Sequence, residues 1–309
     1  MPMDYEVKIA EDILRVRVSQ IIINEELRAG KFKIPIHLAL GHESIAVAVA
    51  NVMEDADKLI LTHRNAAYNL ARERLLKPII DEYLLMPAGL AAGRLGSMNL
   101  MNPGKGVIYS SSILGNGFPV AVGIALAQKN LNSGGITIVL GGDGSIEEGS
   151  FFESLTMLKS MDLSTMVIIE DNEWSLATRI SERRCPINLA ELCKSLGISH
   201  IKLAGNDPFA YIKKLKEARM RSLADQSPIC IEVVVATLGD WVLESPEHPA
   251  GKSINYHAGA TPAAEISKWP GVLHSSDQDP VFVLKNYFDE GFLREMSIRI
   301  AAEINKEIA

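Results

Sequence analysis

The amino-acid sequence predicts an α/β fold built on parallel strands, and three neighbouring stretches support this. Ile136–Leu140 and Met166–Ile169 are short apolar runs rich in β-branched residues, which is typical of strands buried on both faces. Between these runs Phe152, Leu155 and Leu158 recur with helical spacing. A strand, a helix and a second strand in this order form one crossover unit of a parallel sheet.

The remaining elements are expected in this chain order: a packing helix over about 4–29, a short strand at Lys58–Leu61, a small-residue helix after Gly117, a helix after Asp207 that runs to about Ala224, a buried strand at Ile229–Ala236 and a helical tail over about 279–309. No clear strand is expected before Gly115, and the segment after Ala236 is expected to be a loop.

Composition excludes several classes of protein. The 309 residues show no linker-like change in composition, so we expect one domain over residues 1–309. A net charge of −7 argues against nucleic-acid and anionic-membrane partners, and no apolar run is long enough to span a bilayer. Cys185, Cys193 and Cys230 form no Cys-x-x-Cys pair and indicate reduced thiols, so we expect a cytoplasmic protein.

Two polar loop tips carry the strongest functional pattern. Asp143 and Asn172 each follow a predicted strand, and ligands of open α/β sheets bind at that edge. A carboxylate and an amide oxygen there are suitable ligands for Mg²⁺, and Gly142 and Gly144 leave room for phosphate oxygens beside backbone N–H groups. The alternatives are an ordinary Asp-Gly turn and a calcium loop, but the calcium loop fails because oxygen ligands do not recur at alternate positions.

The same stretch resembles a known family. Gly142-Asp143-Gly144, with Asp171-Asn172 after a helix and a strand, resembles the signature of thiamine diphosphate enzymes. The segments 148–153 and 169–174 resemble the alpha subunit of the decarboxylating component of 2-oxo acid dehydrogenases. The resemblance implies a doubly wound, mostly parallel sheet with helices on both faces. It also implies that Mg²⁺ is held by Asp143, the Asn172 side chain and the main-chain carbonyl of Trp174, with Ser145 beside the cofactor.

Other site residues follow from the same resemblance. Arg64 occupies the position of a diphosphate ligand, and His63 is its expected catalytic companion. Ser112 and Leu114 correspond to a loop that lines the aminopyrimidine ring through backbone atoms. Arginine suits a diphosphate because its planar fork donates two parallel hydrogen bonds.

The chain also departs from the alpha-subunit pattern. Ala66 and Asn99 stand where the family often has histidines, and the loop after Ala236 is more similar to the Glu…His-Gly loop of transketolases. We expect His257 of that loop in the site, with His248 left open as an alternative.

Three further features are given simpler interpretations. His37 is expected to be a hydrogen-bonded loop residue. His42 stands where the family usually has glutamine. The basic residues around Arg183 and Arg184 are expected to lie in a solvated loop.

The function implied is that of a cofactor-binding alpha subunit that decarboxylates a 2-oxo acid and passes the acyl or aldehyde fragment onward. A separate beta subunit would supply the glutamate that activates the cofactor, in an α2β2 heterotetramer, and a lipoyl domain is a possible acceptor. The alternatives are one subunit of a two-subunit transketolase or carboligase acting on a ketose, and a non-catalytic structural subunit.

Overall fold

A six-stranded parallel sheet forms the centre of the fold, and a computed structural model describes residues 4–262, 264 and 271–309. Its strands are β1 (Lys58–Thr62), β2 (Val107–Ser111), β3 (Thr137–Gly142), β4 (Thr165–Asp171), β7 (Ser199–Leu203) and β8 (Ile229–Val234). The spatial order is β2-β1-β3-β4-β8-β7, and every neighbouring pair is parallel. Two antiparallel pairs lie outside this sheet: β5 (Trp174–Ser175) with β6 (Thr178–Arg179), and β9 (Asp240–Ser245) with β10 (His248–Asn255).

Helices precede, connect and follow the strands. They are α1 (Asp4–Arg28), α2 (Glu43–Val52), α3 (Ala66–Glu73), α4 (Lys77–Tyr83), α5 (Gly117–Asn130), α6 (Gly149–Ser160), α7 (Ile180–Arg183), α8 (Leu189–Ser195), α9 (Pro208–Asp225), α10 (Pro280–Val283) and α11 (Glu290–Ile308). No helix in the described ranges is long and apolar enough to cross a membrane.

Alternate residues of the four central strands, β1, β3, β4 and β8, pack into two separate hydrophobic cores. On β1, Leu59 and Leu61 join a core with α1, α2, α3, α9 and α11, whereas Ile60 joins a core with α5, α6 and α8. Side chains alternate between the faces of a strand, so helices cover both faces of this sheet. The structure therefore confirms the doubly wound parallel fold.

The strand order reverses between β1 and β3. From β1 the chain crosses to β2 on one side, and from β3 it crosses to β4 on the other side. Such a reversal opens a crevice at the carboxyl ends of the two strands, where open α/β sheets bind ligands.

A buried ion-pair triad fixes the long first helix. Arg17 of α1 donates to Glu43 of α2 (Nε to Oε1, 2.6 Å) and to Asp279, the residue before α10 (Nη2 to Oδ1, 2.9 Å). All three side chains are fully buried. The two carboxylates compensate the charge of a buried guanidinium, and removing one member would leave an unpaired charge in the interior.

Two sequence expectations about strands were wrong. The run Val107–Ser111 is strand β2 and directly precedes the Gly115 loop. It escaped notice because it is an edge strand with two adjacent half-buried residues, Ile108 and Tyr109, and two serines at its end. The segment after Ala236 contains the β9–β10 hairpin, whose second strand includes Pro249 and Gly251, two residues that usually argue against a strand.

Candidate active site

A cavity of about 320 Å³ lies at the carboxyl ends of β1, β2, β3 and β4. The sequence-predicted site residues that line it are His63, Arg64, Ser112, Leu114, Gly142, Asp143, Gly144, Ser145, Asn172, Trp174 and His257. His248, the alternative to His257, is exposed on β10 and does not line the cavity.

Asp143 and Asn172 project from the ends of adjacent strands. Gly142 pairs with Glu170 in the β3–β4 register, and the Asp143 N–H donates to the Glu170 carbonyl at 3.2 Å. Neighbouring strands lie about 4.8 Å apart, which brings the two loop tips within reach of a common ligand. Gly144 must be glycine here, since a Cβ atom at this position would meet the Ser175 hydroxyl at 2.5 Å.

A chain of buried hydrogen bonds orients the Asn172 amide. Its Nδ2 donates to Thr237 Oγ1 at 2.8 Å, and Thr237 Oγ1 contacts His42 Nε2 at 3.0 Å. His42 Nδ1 lies 2.8 Å from Glu170 Oε1, which also accepts from Tyr68 Oη at 2.7 Å. A carboxylate only accepts, so His42 carries its proton on Nδ1, and Thr237 donates to Nε2 and accepts from Asn172. The amide oxygen of Asn172 accepts from the Trp174 N–H at 3.1 Å, and its second lone pair can face a cation.

Arg183 pairs with the Asp143 carboxylate, which the sequence did not predict. The Nη2 to Oδ2 distance is 2.5 Å, and Arg183 Nε also donates to Glu147 at 2.6 Å. Arg184 binds the same Glu147 oxygen at 2.8 Å. Both arginine side chains are 12% exposed, so the expectation of a solvated loop was wrong. The guanidinium lies where a cation bound to Asp143 would lie.

Burial dominates the ionisation of Asp143. It raises the pKa of this carboxyl to about 6, and the hydrogen bond and positive charge of Arg183 offset only part of the effect. At neutral pH Asp143 is therefore largely a carboxylate, the form that binds a metal ion.

Three histidines from distant parts of the chain meet at the cavity wall, and we call His37, His63 and His257 the histidine cluster. Their ring centroids lie 4.8 Å (37–63), 4.9 Å (37–257) and 5.8 Å (63–257) apart. Burial, reinforced by the charge of Arg64, lowers the pKa to about 3 for His37 and His63 and to about 4 for His257. All three imidazoles are therefore neutral at pH 7. Trp241 of β9 stacks on His257 at 5.4 Å.

Arg64 is buried beneath this cluster. Its Nη1 donates to the Leu38 carbonyl at 2.7 Å and to the His257 carbonyl at 3.3 Å, and its guanidinium faces the Tyr256 ring at 5.9 Å. These contacts hold the side chain against the cavity wall, and they also link the loop after β1 to the segment after β10.

The mouth of the cavity is apolar and open. Ile113, Leu114 and Leu176 are 69%, 50% and 57% exposed, and all three line the cavity. Gly115 makes the turn beside them with a φ of 69°, and a Cβ atom there would meet the Glu148 side chain at 2.6 Å.

Several residues of the site escaped sequence reasoning. Thr237 and Arg183 act through contacts between segments far apart in the chain, which no local pattern reveals. Glu170 did leave a signal, because a carboxylate that directly follows the apolar run Met166–Ile169 of a buried strand needs a buried partner. His37 was expected to be a hydrogen-bonded loop residue, yet its buried Nδ1 has no hydrogen-bond partner.

The fold and the cavity together define an α/β enzyme class that binds its ligand where the strand order reverses. Residues 13–237 match the dehydrogenase E1 component, and the chain belongs to this family. It is an E1 alpha-type chain of the thiamine diphosphate-dependent 2-oxo acid dehydrogenases, which confirms the resemblance found in the sequence.

Individual relatives fit this assignment. The chain is 24% identical over 303 residues to the alpha subunit of acetoin:2,6-dichlorophenolindophenol oxidoreductase from Bacillus subtilis, covering 97% of this chain and 86% of that subunit. It is 26% identical over 236 residues to the mitochondrial pyruvate dehydrogenase E1 alpha subunit of Saccharomyces cerevisiae, covering 76% of this chain and 55% of that one. A transketolase from Pichia stipitis has the same fold, with a TM-score of 0.61 and 17% identity over 96% of this chain and 45% of the transketolase.

Proposed function

We propose that this chain is the cofactor-binding alpha subunit of an enzyme that decarboxylates a 2-oxo acid and transfers the resulting acyl or aldehyde fragment. The observation that carries the proposal is the convergence of Asp143, Asn172 and Trp174 on one cavity at the ends of β3 and β4. In this proposal Asp143, the Asn172 amide oxygen and the Trp174 carbonyl hold one Mg²⁺, which binds the diphosphate of thiamine diphosphate.

The donor set fits that ion. All three proposed ligands are oxygen atoms, which Mg²⁺ prefers, and a single carboxylate leaves room for phosphate oxygens and water. The volume of about 320 Å³ is within the usual range for small-molecule sites. Glu147 already holds Arg183 Nε, so the arginine keeps a partner when an ion displaces it from Asp143.

The protein groups have separate proposed roles. Arg64, Ser145 and the backbone beside Gly142 and Gly144 bind and orient the diphosphate, whereas Ser112 and Leu114 line the ring. Thiamine diphosphate supplies the carbanion and the electron sink for decarboxylation. His63 and His257 are the proposed catalytic histidines, because both line the cavity and a neutral imidazole can hydrogen-bond the reacting groups of the substrate.

The lining of the cavity supports the need for a partner subunit. Among the described lining residues, the carboxylates are Asp143 and Glu170, and Glu170 is held by His42 and Tyr68. Neither is available to activate the aminopyrimidine ring, so we propose that a beta subunit supplies that glutamate across the apolar mouth. An α2β2 heterotetramer, a single domain over residues 1–309, a cytoplasmic location and a lipoyl-domain acceptor are parts of the same proposal.

A second candidate is one subunit of a two-subunit transketolase or carboligase. The histidine cluster favours it, because neutral imidazoles can hydrogen-bond the hydroxyl groups of a ketose. The acceptor would then be a sugar or another carbonyl compound.

Co-expression with candidate beta subunits, followed by product analysis, tests these functions. Release of CO₂ from a 2-oxo acid supports the first candidate, and ketol transfer from a ketose phosphate supports the second. Full turnover by the chain alone would contradict the need for a partner. Thiamine diphosphate binding without any turnover would indicate a structural subunit.

A further inference from the structure

The indole of Trp241 lies flat against the imidazole of His257. Their ring centroids are 5.4 Å apart, and the two ring planes are inclined by 24°. His257 lines the cavity and Trp241 does not, so the indole contacts the imidazole from outside the cavity. We propose that Trp241 is a positioning residue that fixes the orientation of the His257 ring, an inference that rests on the proposed catalytic role of His257.

Hydrogen bonds hold the backbone around His257. The His257 carbonyl accepts from Arg64 Nη1 at 3.3 Å. On the residues that follow and precede it, Tyr256 Oη donates to the Gly259 carbonyl at 2.6 Å, and the Gly259 N–H donates to the Ile36 carbonyl at 2.8 Å. These contacts place the main chain of His257 at the cavity wall, but they do not determine how its ring is turned.

Neighbouring rings determine the orientation of the imidazole. Trp241 stacks on the His257 ring, and the ring of His37 meets it at 86° with 4.9 Å between the centroids. The last torsion angle of a histidine side chain has broad preferences of its own, so packing decides it. A stacked indole resists rotation about that bond, because a turned imidazole would drive its edge into the indole face.

The β9–β10 hairpin holds Trp241 in this place. Trp241 pairs with Ile254 across the hairpin, and Ile254 is only 5% exposed, so this face of the hairpin packs against the protein. Lys252 of the same hairpin donates to Glu182 Oε1 of α7 at 2.9 Å. The hairpin is therefore anchored on the rest of the site while it presents the indole to His257.

The indole should affect turnover rather than cofactor binding, because it lies outside the cavity and takes no part in proton transfer. A stacked aromatic pair changes an equilibrium roughly twofold to tenfold, so Trp241→Leu should lower kcat about threefold to tenfold. KM and thiamine diphosphate affinity should stay within about twofold of wild type. Trp241→Phe keeps a flat ring and should restore most of kcat.

Nuclear magnetic resonance reports the stacking without any turnover. We label the full-length chain with ¹³C at Cε1 of its seven histidines, and His257→Gln identifies the His257 signal. The ring current of the stacked indole should place that signal upfield. Trp241→Leu should move it downfield, and Trp241→Phe should keep part of the upfield displacement. The matched control is Val242→Ala, which changes a 57% exposed side chain of the same strand and should leave the signal in place.

Turnover in the enzyme co-purified with its partner subunit separates this inference from the proposed function. Full activity of His257→Gln would contradict the catalytic role of His257 and the inference with it. If His257→Gln is inactive but Trp241→Leu keeps the wild-type kcat, only the positioning role is overturned. It is also overturned, whatever the substrate, if folded Trp241→Leu and Trp241→Phe leave the His257 signal unchanged. Circular dichroism shows which variants fold, and Trp241→Phe alone decides the signal if the leucine variant does not.

Discussion

Replacement of Thr237 by valine tests the hydrogen-bond chain that orients Asn172. The substitution removes one hydrogen-bonding atom, Thr237 Oγ1. This atom lies 2.8 Å from Asn172 Nδ2 and 3.0 Å from His42 Nε2 and so connects the two side chains. Valine has nearly the same shape but cannot accept or donate. The matched control is Thr237→Ser, which keeps the hydroxyl group and loses only a methyl group.

The magnitude follows from the burial of the groups involved. His42 is 2% exposed, so its ring nitrogen is left without a partner, which costs about 1–3 kcal/mol of stability. The Asn172 amide is only partly buried and loses one of its two anchors, so it is held only by the Trp174 N–H, which donates to Asn172 Oδ1 at 3.1 Å. Ordering a released side chain again costs about 0.5–1.5 kcal/mol, or roughly a twofold to tenfold weaker Mg²⁺ affinity.

Thermal unfolding measures the first effect, and the Mg²⁺ concentration needed for half-maximal thiamine diphosphate binding measures the second. Thr237→Ser should restore that concentration to within about twofold of wild type. The reasoning is refuted if Thr237→Val lowers stability but leaves the Mg²⁺ dependence unchanged. It is equally refuted if serine is as harmful as valine, because packing of the methyl group would then explain both.

Three further predictions concern charge. Arg183→Gln removes the competing cation from Asp143, so calorimetry should show Mg²⁺ binding roughly threefold to tenfold tighter. This gain is smaller than the energy of a charged hydrogen bond, because water partly replaces the arginine at Asp143. Weaker Mg²⁺ binding would contradict this prediction. Arg17→Met leaves two buried carboxylates unpaired and should cost about 3–5 kcal/mol in urea unfolding, whereas a cost near zero would show that the triad is not stabilising. The pKa values of the histidine cluster are lower in the folded chain than the usual 6.5, so the unfolded chain binds more protons and stability should fall as the pH drops from about 6.5 to 4. His63→Gln should flatten that dependence in pH-resolved unfolding, and an unchanged slope would show that His63 is not held neutral.

Local patterns were enough to predict the centre of the sheet. The apolar runs at β1, β3, β4 and β8 are buried on both faces, so each reads as a continuous hydrophobic segment. Glycine and acidic residues mark where these strands end, which also placed Asp143 and Asn172 at the correct edge. The edge strand β2 and the β9–β10 hairpin lack that continuous hydrophobicity, and both were missed.

The contacts that complete the site are not local. His37, His63 and His257 come from three separate segments, and only the folded chain brings their rings within 6 Å of one another. The pairing of Arg183 with Asp143 depends on the direction of a long flexible side chain, which sequence spacing does not determine. A motif can therefore predict which residues carry the chemistry more readily than it predicts which residues hold them in position.

The central claim is that Asp143 and Asn172 share one divalent ion that binds thiamine diphosphate. Its most direct test is thiamine diphosphate binding by calorimetry in wild type, Asp143→Asn, Asn172→Ala and the double variant, each co-purified with its partner subunit. If the two side chains share one divalent ion, EDTA abolishes tight binding by wild type, each single variant loses most of the affinity, and the double variant is little worse than either single variant. Tight binding that persists in EDTA, or that survives both substitutions, would contradict the claim.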